Sequence, residues 1–168
     1  MKSARESDKV VRKEFDNIFD LPLSAAQAWP LLSDIRRTAS CIPGVELTDV
    51  VDDTTYRGRM SVQLGPAALR FATVVKFEEV DPVQHTARLR ADGADDQGLG
   101  GEHAIVSFAL DSAGADKSRV RVHTDLTLFG PAAQYGDSAN LIQGTAGNII
   151  TQFAENLRAQ LSAAPGAQ

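Results

Sequence analysis

The side chains able to do chemistry are few in this chain. One cysteine, Cys41, and three histidines, His85, His103 and His123, stand far apart, and none is spaced as in a zinc site. A single cysteine also excludes an internal disulfide. Cys41 precedes Ile42 and Pro43, which offer no base to activate a thiol. A structural cysteine is therefore preferred to a reactive one, although Arg36 and Arg37 lie close in sequence. No nucleophile-elbow motif occurs, and no Ser–His–Asp set is suggested by spacing. The stretch from Gly93 to Gly101 contains Gly93, Gly98, Gly100 and Gly101, as a phosphate cradle would. Such cradles lead from a strand into a helix N-terminus, whereas here both flanks alternate as strands. A long hairpin over a cavity mouth is expected instead, acting as a gate or as a plain loop. Asp95 and Asp96 are adjacent and read as solvated turn carboxylates.

Glu102 carries more information. It shares parity with Val106, Phe108 and Leu110, so it points toward the covered face if the register holds. A carboxyl against an apolar cavity has a raised pKa and could move protons. A solvated place at the strand's start is the alternative. His85 shares parity with Ala87 and Leu89 and reaches either a cavity end or a structural hydrogen bond. His123, between Arg121 and Asp125 in the alternation, belongs to the polar face. Gln134 and Tyr135 either hydrogen-bond a ligand or simply pack.

These residues must be positioned by a simple order of elements. Phe15, Asn17 and Phe19 share one face of a strand expected over 13–19. Ser24 to Gln27 matches a capping box, so a helix starts at Ser24 and runs to about Ser33, short, kinked or broken at Pro30. A second short helix is expected over 34–40, before Pro43 and Gly44. From Val45 to Phe129 the apolar period is two, in six consecutive strands joined by hairpin-length turns at Gly65-Pro66 and Asp81-Pro82. The final segment returns to a helical period, from Tyr135 through Ile142, Ala146 and Phe153 to Leu161. Gly136, Gly144 and Gly147 interrupt it, either for close packing or ligand space, or as losses that a long helix tolerates.

The chain has 168 residues, 43% of them hydrophobic, and a formal net charge of −5. That is one domain able to bury its own core, and the acidic balance argues against nucleic acid as a partner. Residues 1–12 and 163–168 are expected as flexible tails around a single domain over 13–162. No apolar run is long enough to span a bilayer, and a signal-peptide core is missing from the start. A cytoplasmic location is expected, with peripheral contact at the inner face of the cell membrane as the alternative. The N-terminal tail mixes Lys2, Arg5, Lys9 and Arg12 with Glu6, Asp8 and Glu14, so weak or no binding to anionic lipid is expected.

Strand, two short helices, six strands and a long helix form an α+β arrangement that resembles the helix-grip fold of the START and SRPBCC superfamily. There a curved antiparallel sheet of about seven strands wraps around a long C-terminal helix and leaves a cavity. Short motifs narrow the likeness: Cys41-Ile42-Pro43-Gly44-Val45-Glu46, Tyr56-Arg57-Gly58, Gly93 to Gly98, and Gly130-Pro131-Ala132-Ala133-Gln134-Tyr135-Gly136. In this spacing, over about Phe15 to Leu161, the chain is similar to the carbon monoxide dehydrogenase G-subunit (CoxG) family. Two residues after Phe71 that family usually has glycine; Thr73 stands here and would narrow or reshape the cavity.

The resemblance implies a non-catalytic accessory protein for a molybdenum hydroxylase. It would hold a hydrophobic molecule, quinone- or lipid-like, with no covalently bound cofactor and no metal. A cyclase- or hydrolase-like enzyme using Glu102, His85 or Tyr135, and a pure docking module for the hydroxylase, are the competing readings. The cavity lining would come from Trp29, Tyr56, Met60, Phe71, Val75 and Leu89. Across from these it would draw on Phe108, Leu126, Tyr135, Ile142, Ala146 and Phe153. Its rim or gate would be Cys41, Pro43, Gly44, Gly93, Asp95, Gly98, Glu102 and Gln134.

Overall fold

A computed structural model describes residues 10–64, 67–95, 100–130, 133 and 139–163. Strand β1 (Val10–Leu21) is followed by helices α1 (Ala25–Leu32) and α2 (Ile35–Ala39). Then come β2 (Val45–Val50), β3 (Thr55–Leu64), β4 (Ala67–Asp81), β5 (Thr86–Asp95), β6 (Gly101–Gly114), β7 (Lys117–Phe129) and α3 (Ala139–Ala163). The strands form one antiparallel sheet in the order β1-β7-β6-β5-β4-β3-β2. Hairpins make every neighbour except β1, which returns to pair with β7. This is the helix-grip arrangement.

Local chemistry explains the helices. The Ser24 hydroxyl accepts from the Gln27 backbone N–H, and the Gln27 side chain accepts from the Ser24 N–H, completing the capping box. Pro30 does not end α1. Both Pro30 and Ala26, whose carbonyl loses its intrahelical partner, are exposed, so water can satisfy the freed group. Asp34 caps α2 through the N–H of Arg36. Gly44 then turns the chain into β2 with φ +83°, and a side chain there would strike the Ser61 carbonyl.

Alternation in the strands separates two faces. The outer face is a lattice of ion pairs: Arg12 with Asp125, Arg119 and Lys117 with Asp20, Arg121 with Asp111, and Arg88 and Arg90 with Glu78. The inner face is apolar and turned toward the helices. Its buried residues fall into two clusters. The first joins Phe19, Leu21, Trp29, Leu110 and Val120 to Ala154 and Leu157 of α3. Full burial of Leu157 alone contributes about 1.5–3 kcal/mol. The second joins Phe15, Phe71, Leu128 and Ala133, with Leu126 and Ala146 against it.

The C-terminal half of α3 is tethered. Asn156 donates to the Cys41 carbonyl (2.8 Å), and the Arg158 guanidinium donates twice to the Asp20 carbonyl (3.0 and 3.1 Å). Further toward its N-terminus, a Cβ added at Gly144 or Gly147 would meet nothing within 4 Å. Close packing is therefore not the reason for these glycines.

Three expectations need correction. β1 starts at Val10, because twelve rungs with β7 hold it, so residues 10–12 belong to the sheet and not to a tail. Gly93 and Glu102 are not in a long hairpin loop: β5 runs to Asp95, β6 begins at Gly101, and the two residues pair within the sheet. Cys41 is not on a rim but in the first cluster, 1% exposed, beneath the end of α3.

Candidate functional site

Between the two clusters the inner face is not closed. Val75, Leu89, Ala91 and Val106 are half-buried and belong to neither cluster, although they face the helix side. Tyr56 and Met60 on β3 are in the same condition. A filled core would form one continuous body and bury these residues completely.

Other expected lining residues take part in the packing on either side. Trp29 is buried in the first cluster, stacked on His85 with centroids 5.3 Å apart and tilted against Phe108. Phe153 meets the edge of Phe19. Phe71 is buried in the second cluster, with Leu126 and Ala146 packed on it from outside. Pro43 and Gly44 form the turn into β2, and Asp95 ends β5 on the inner face. Gly98, Gln134 and Tyr135 lie outside the described residues, and of Ile142 only its place in α3 is described.

Beside the second cluster, one row across the sheet carries polar atoms. Leu47, Gly58, Thr73, Gly93, Glu102 and Leu128 stand opposite one another on six adjacent strands. Thr73 and Glu102 are each 8% exposed, and neither Thr73 Oγ1 nor Glu102 Oε2 has a hydrogen-bond partner among the described residues. Both converge on Gly93. A Cβ there would lie 2.9 Å from Thr73 Oγ1 and 3.1 Å from Glu102 Oε2. The two oxygens are too far apart to bond directly and near enough for one atom to bridge them. Leaving each unsatisfied costs about 1–3 kcal/mol, a strain that a third group placed between them would relieve.

Burial pushes the Glu102 carboxyl up to about 7, with the negative charge of Asp92 adding to it. Asp92 itself lies on the outer face, paired with Arg90 and His103. Glu102 therefore holds its proton through mildly acidic conditions and can donate as well as accept.

Sequence reasoning found Glu102 but missed its partners. The signal for Gly93 is its place in the alternation Ala87, Leu89, Ala91, Gly93, since a glycine inside a strand marks a close approach. Thr73 has no sequence signal of its own beyond its departure from the family pattern.

No acid–base set with Glu102 forms among the described residues. His85 sits in the turn before β5, with φ +57° and its carbonyl accepting from Leu110 N–H. Leu110 is eight positions along β6 from Glu102, roughly 26 Å at 3.3 Å per residue. His103 and His123 are on the outer face, bonded to Asp92 and to Asp16 and Glu14. No group of metal-ligating side chains is found among the described residues.

A second concavity, a trough of about 820 Å³, runs over the outer face past Ile18, Arg88, Arg121 and His123. Its charged side chains are already engaged with Glu78, Asp111 and Asp16, which leaves the interior site as the better candidate. No helix among the described residues is long and apolar enough to cross a membrane.

Comparison with solved structures gives the same fold. A conserved protein from Geobacillus kaustophilus superposes with a TM-score of 0.78 at 14% identity, covering 90% of this chain and 97% of that one. The Zhui aromatase/cyclase from Streptomyces sp. R1128 gives 0.59 at 12% identity, covering 88% and 94%. A START superfamily protein from Mycobacterium smegmatis gives 0.56 at 15%, covering 89% and 97%. At these identities the likeness establishes the fold alone. No significant match is found among curated proteins. The family profile of the carbon monoxide dehydrogenase G-subunit (CoxG) matches residues 19–162, from the end of β1 to the end of α3, so the chain belongs to that family.

Proposed function

We propose that this protein is a non-catalytic accessory that holds a hydrophobic molecule between its sheet and α3. The observation that carries this reading is the divided core. Val75, Leu89, Ala91 and Val106 are apolar, face inward and remain half-buried between two packed clusters. An apolar guest would bury them at about 25 cal/mol per Å². The open surroundings of Gly144 and Gly147 supply room along the helix. The separation of Glu102 from His85 weighs against a cyclase- or hydrolase-like enzyme built on those two residues.

Family membership supports a molybdenum hydroxylase of the carbon monoxide dehydrogenase kind as the partner, and a quinone or lipid as the guest. The decisive experiment is native mass spectrometry of the purified protein, followed by solvent extraction and identification of what is released. A stoichiometric apolar molecule is the expected result. Reproducible emptiness, with no uptake of quinone or lipid probes, refutes the proposal. Co-purification with the hydroxylase from an empty protein would instead favour a pure docking module.

A further inference from the structure

We propose that Thr73 and Glu102 form a clamp across Gly93 for an uncharged carbonyl-type oxygen on the ligand's head, and that the clamp rejects anionic heads. This rests on the reading above, that the interior holds a hydrophobic molecule. Three features of the row make the clamp. Gly93 lacks the side chain that would fill the space between its neighbours on β4 and β6. Thr73 Oγ1 and Glu102 Oε2 border that space from opposite sides, buried and without partners among the described residues. The second cluster closes one flank through Phe71 and Leu128, and the half-buried apolar zone opens on the other.

Donor and acceptor counting selects the guest. A protonated carboxyl has one O–H to give, and a threonine hydroxyl has another. A carbonyl oxygen has two lone pairs and accepts both at once. Charge selects against the alternatives. Asp92 stands behind Glu102 on β5, and Asp95 ends the same strand on the inner face. Lys13 is two strands away on β1, at the sheet's edge. On α3, Ala146 and Ile150 pack toward the sheet, while Glu155 and Arg158 are exposed. Among the described residues, a phosphate or carboxylate head would meet acidic groups and no neighbouring cation. Burial keeps Glu102 protonated up to about 7, so the donor is present at pH 6.

The test uses the full chain at pH 6 and three probes. Diphenylhexatriene, a hydrocarbon that fluoresces in apolar surroundings, reports the cavity itself. Its displacement by 2-tridecanone or by n-dodecyl phosphate reports the head group. The ketone is expected to compete roughly tenfold better than the phosphate. Thr73→Val and Glu102→Leu are each expected to weaken the ketone roughly tenfold while leaving diphenylhexatriene uptake within about twofold. Thr73→Val keeps the side-chain shape and serves if Glu102→Leu fails to fold. Unchanged ketone competition in a folded variant, or a phosphate that competes as well as the ketone, overturns the clamp and leaves the cavity standing. A wild-type protein that takes up no diphenylhexatriene overturns the cavity and the clamp together.

Discussion

Replacing Glu102 by glutamine removes an ionisable group from the interior, and burial dictates the pH at which the change is felt. In the unfolded chain the carboxyl loses its proton near 4.5; in the folded protein it holds on until about 7. Below 4.5 both states are protonated and Glu102 contributes nothing to the pH dependence. Between the two values the unfolded state binds fewer protons than the folded one, so stability falls as pH rises. The interval is worth about 3 kcal/mol at 1.36 kcal/mol per unit, and the loss levels off above 7. Glu102→Gln escapes this loss. Urea denaturation of both proteins at steps from pH 4 to pH 8.5 measures it. The variant's stability relative to wild type is expected to be flat below 4.5 and to climb by about 3 kcal/mol by pH 8. Surface carboxylates such as Asp20 and Asp125, held down by Arg119 and Arg12, titrate alike in both proteins and cancel from the difference. A difference that stays constant from pH 4 to 8.5, or moves against the variant as pH rises, refutes the burial argument.

Gly93→Ala is expected to destabilise the fold by about 1–3 kcal/mol through the crowding at Thr73 and Glu102, and Thr73→Gly in the same chain should recover most of it in a double-mutant cycle read by urea midpoints. Gly144→Ala and Gly147→Ala enter open space within α3, so each should raise stability by up to about 1 kcal/mol. His123, hydrogen-bonded to Asp16 and also to Glu14, should titrate above the ordinary histidine value by NMR, and Asp16→Asn should bring it down. The stability contributed by His123 is present below 6.5 and disappears as pH rises through that elevated value.

Much of the architecture is legible because it follows from local periodicity. Tyr56, Met60 and Val62 against Arg57, Arg59 and Ser61 are enough to define a half-buried strand, and β3 is found there. The capping box at Ser24 and the cap at Asp34 act through backbone groups two or three residues away, so the starts of α1 and α2 are visible as well. Pro30 is harder, since its cost depends on whether the freed carbonyl faces water. The extent of β1, β5 and β6 is underestimated where apolar alternation gives out but the neighbouring strand continues the ladder.

The inward direction of Glu102 was determined by the sequence alone, because side-chain parity along a strand has a period of two and Val106, Phe108 and Leu110 establish it. What the carboxyl meets on that face was decided only by the tertiary structure. Register across β4, β5 and β6 brings Thr73, Gly93 and Glu102 into one row from positions far apart in the chain. The division of the core is of the same kind. Each apolar residue is a local fact, but whether it fills a cluster or lines a space depends on where α3 is tethered and how the sheet curves around it. Those are sums of many weak, long-range contacts that no window of sequence contains.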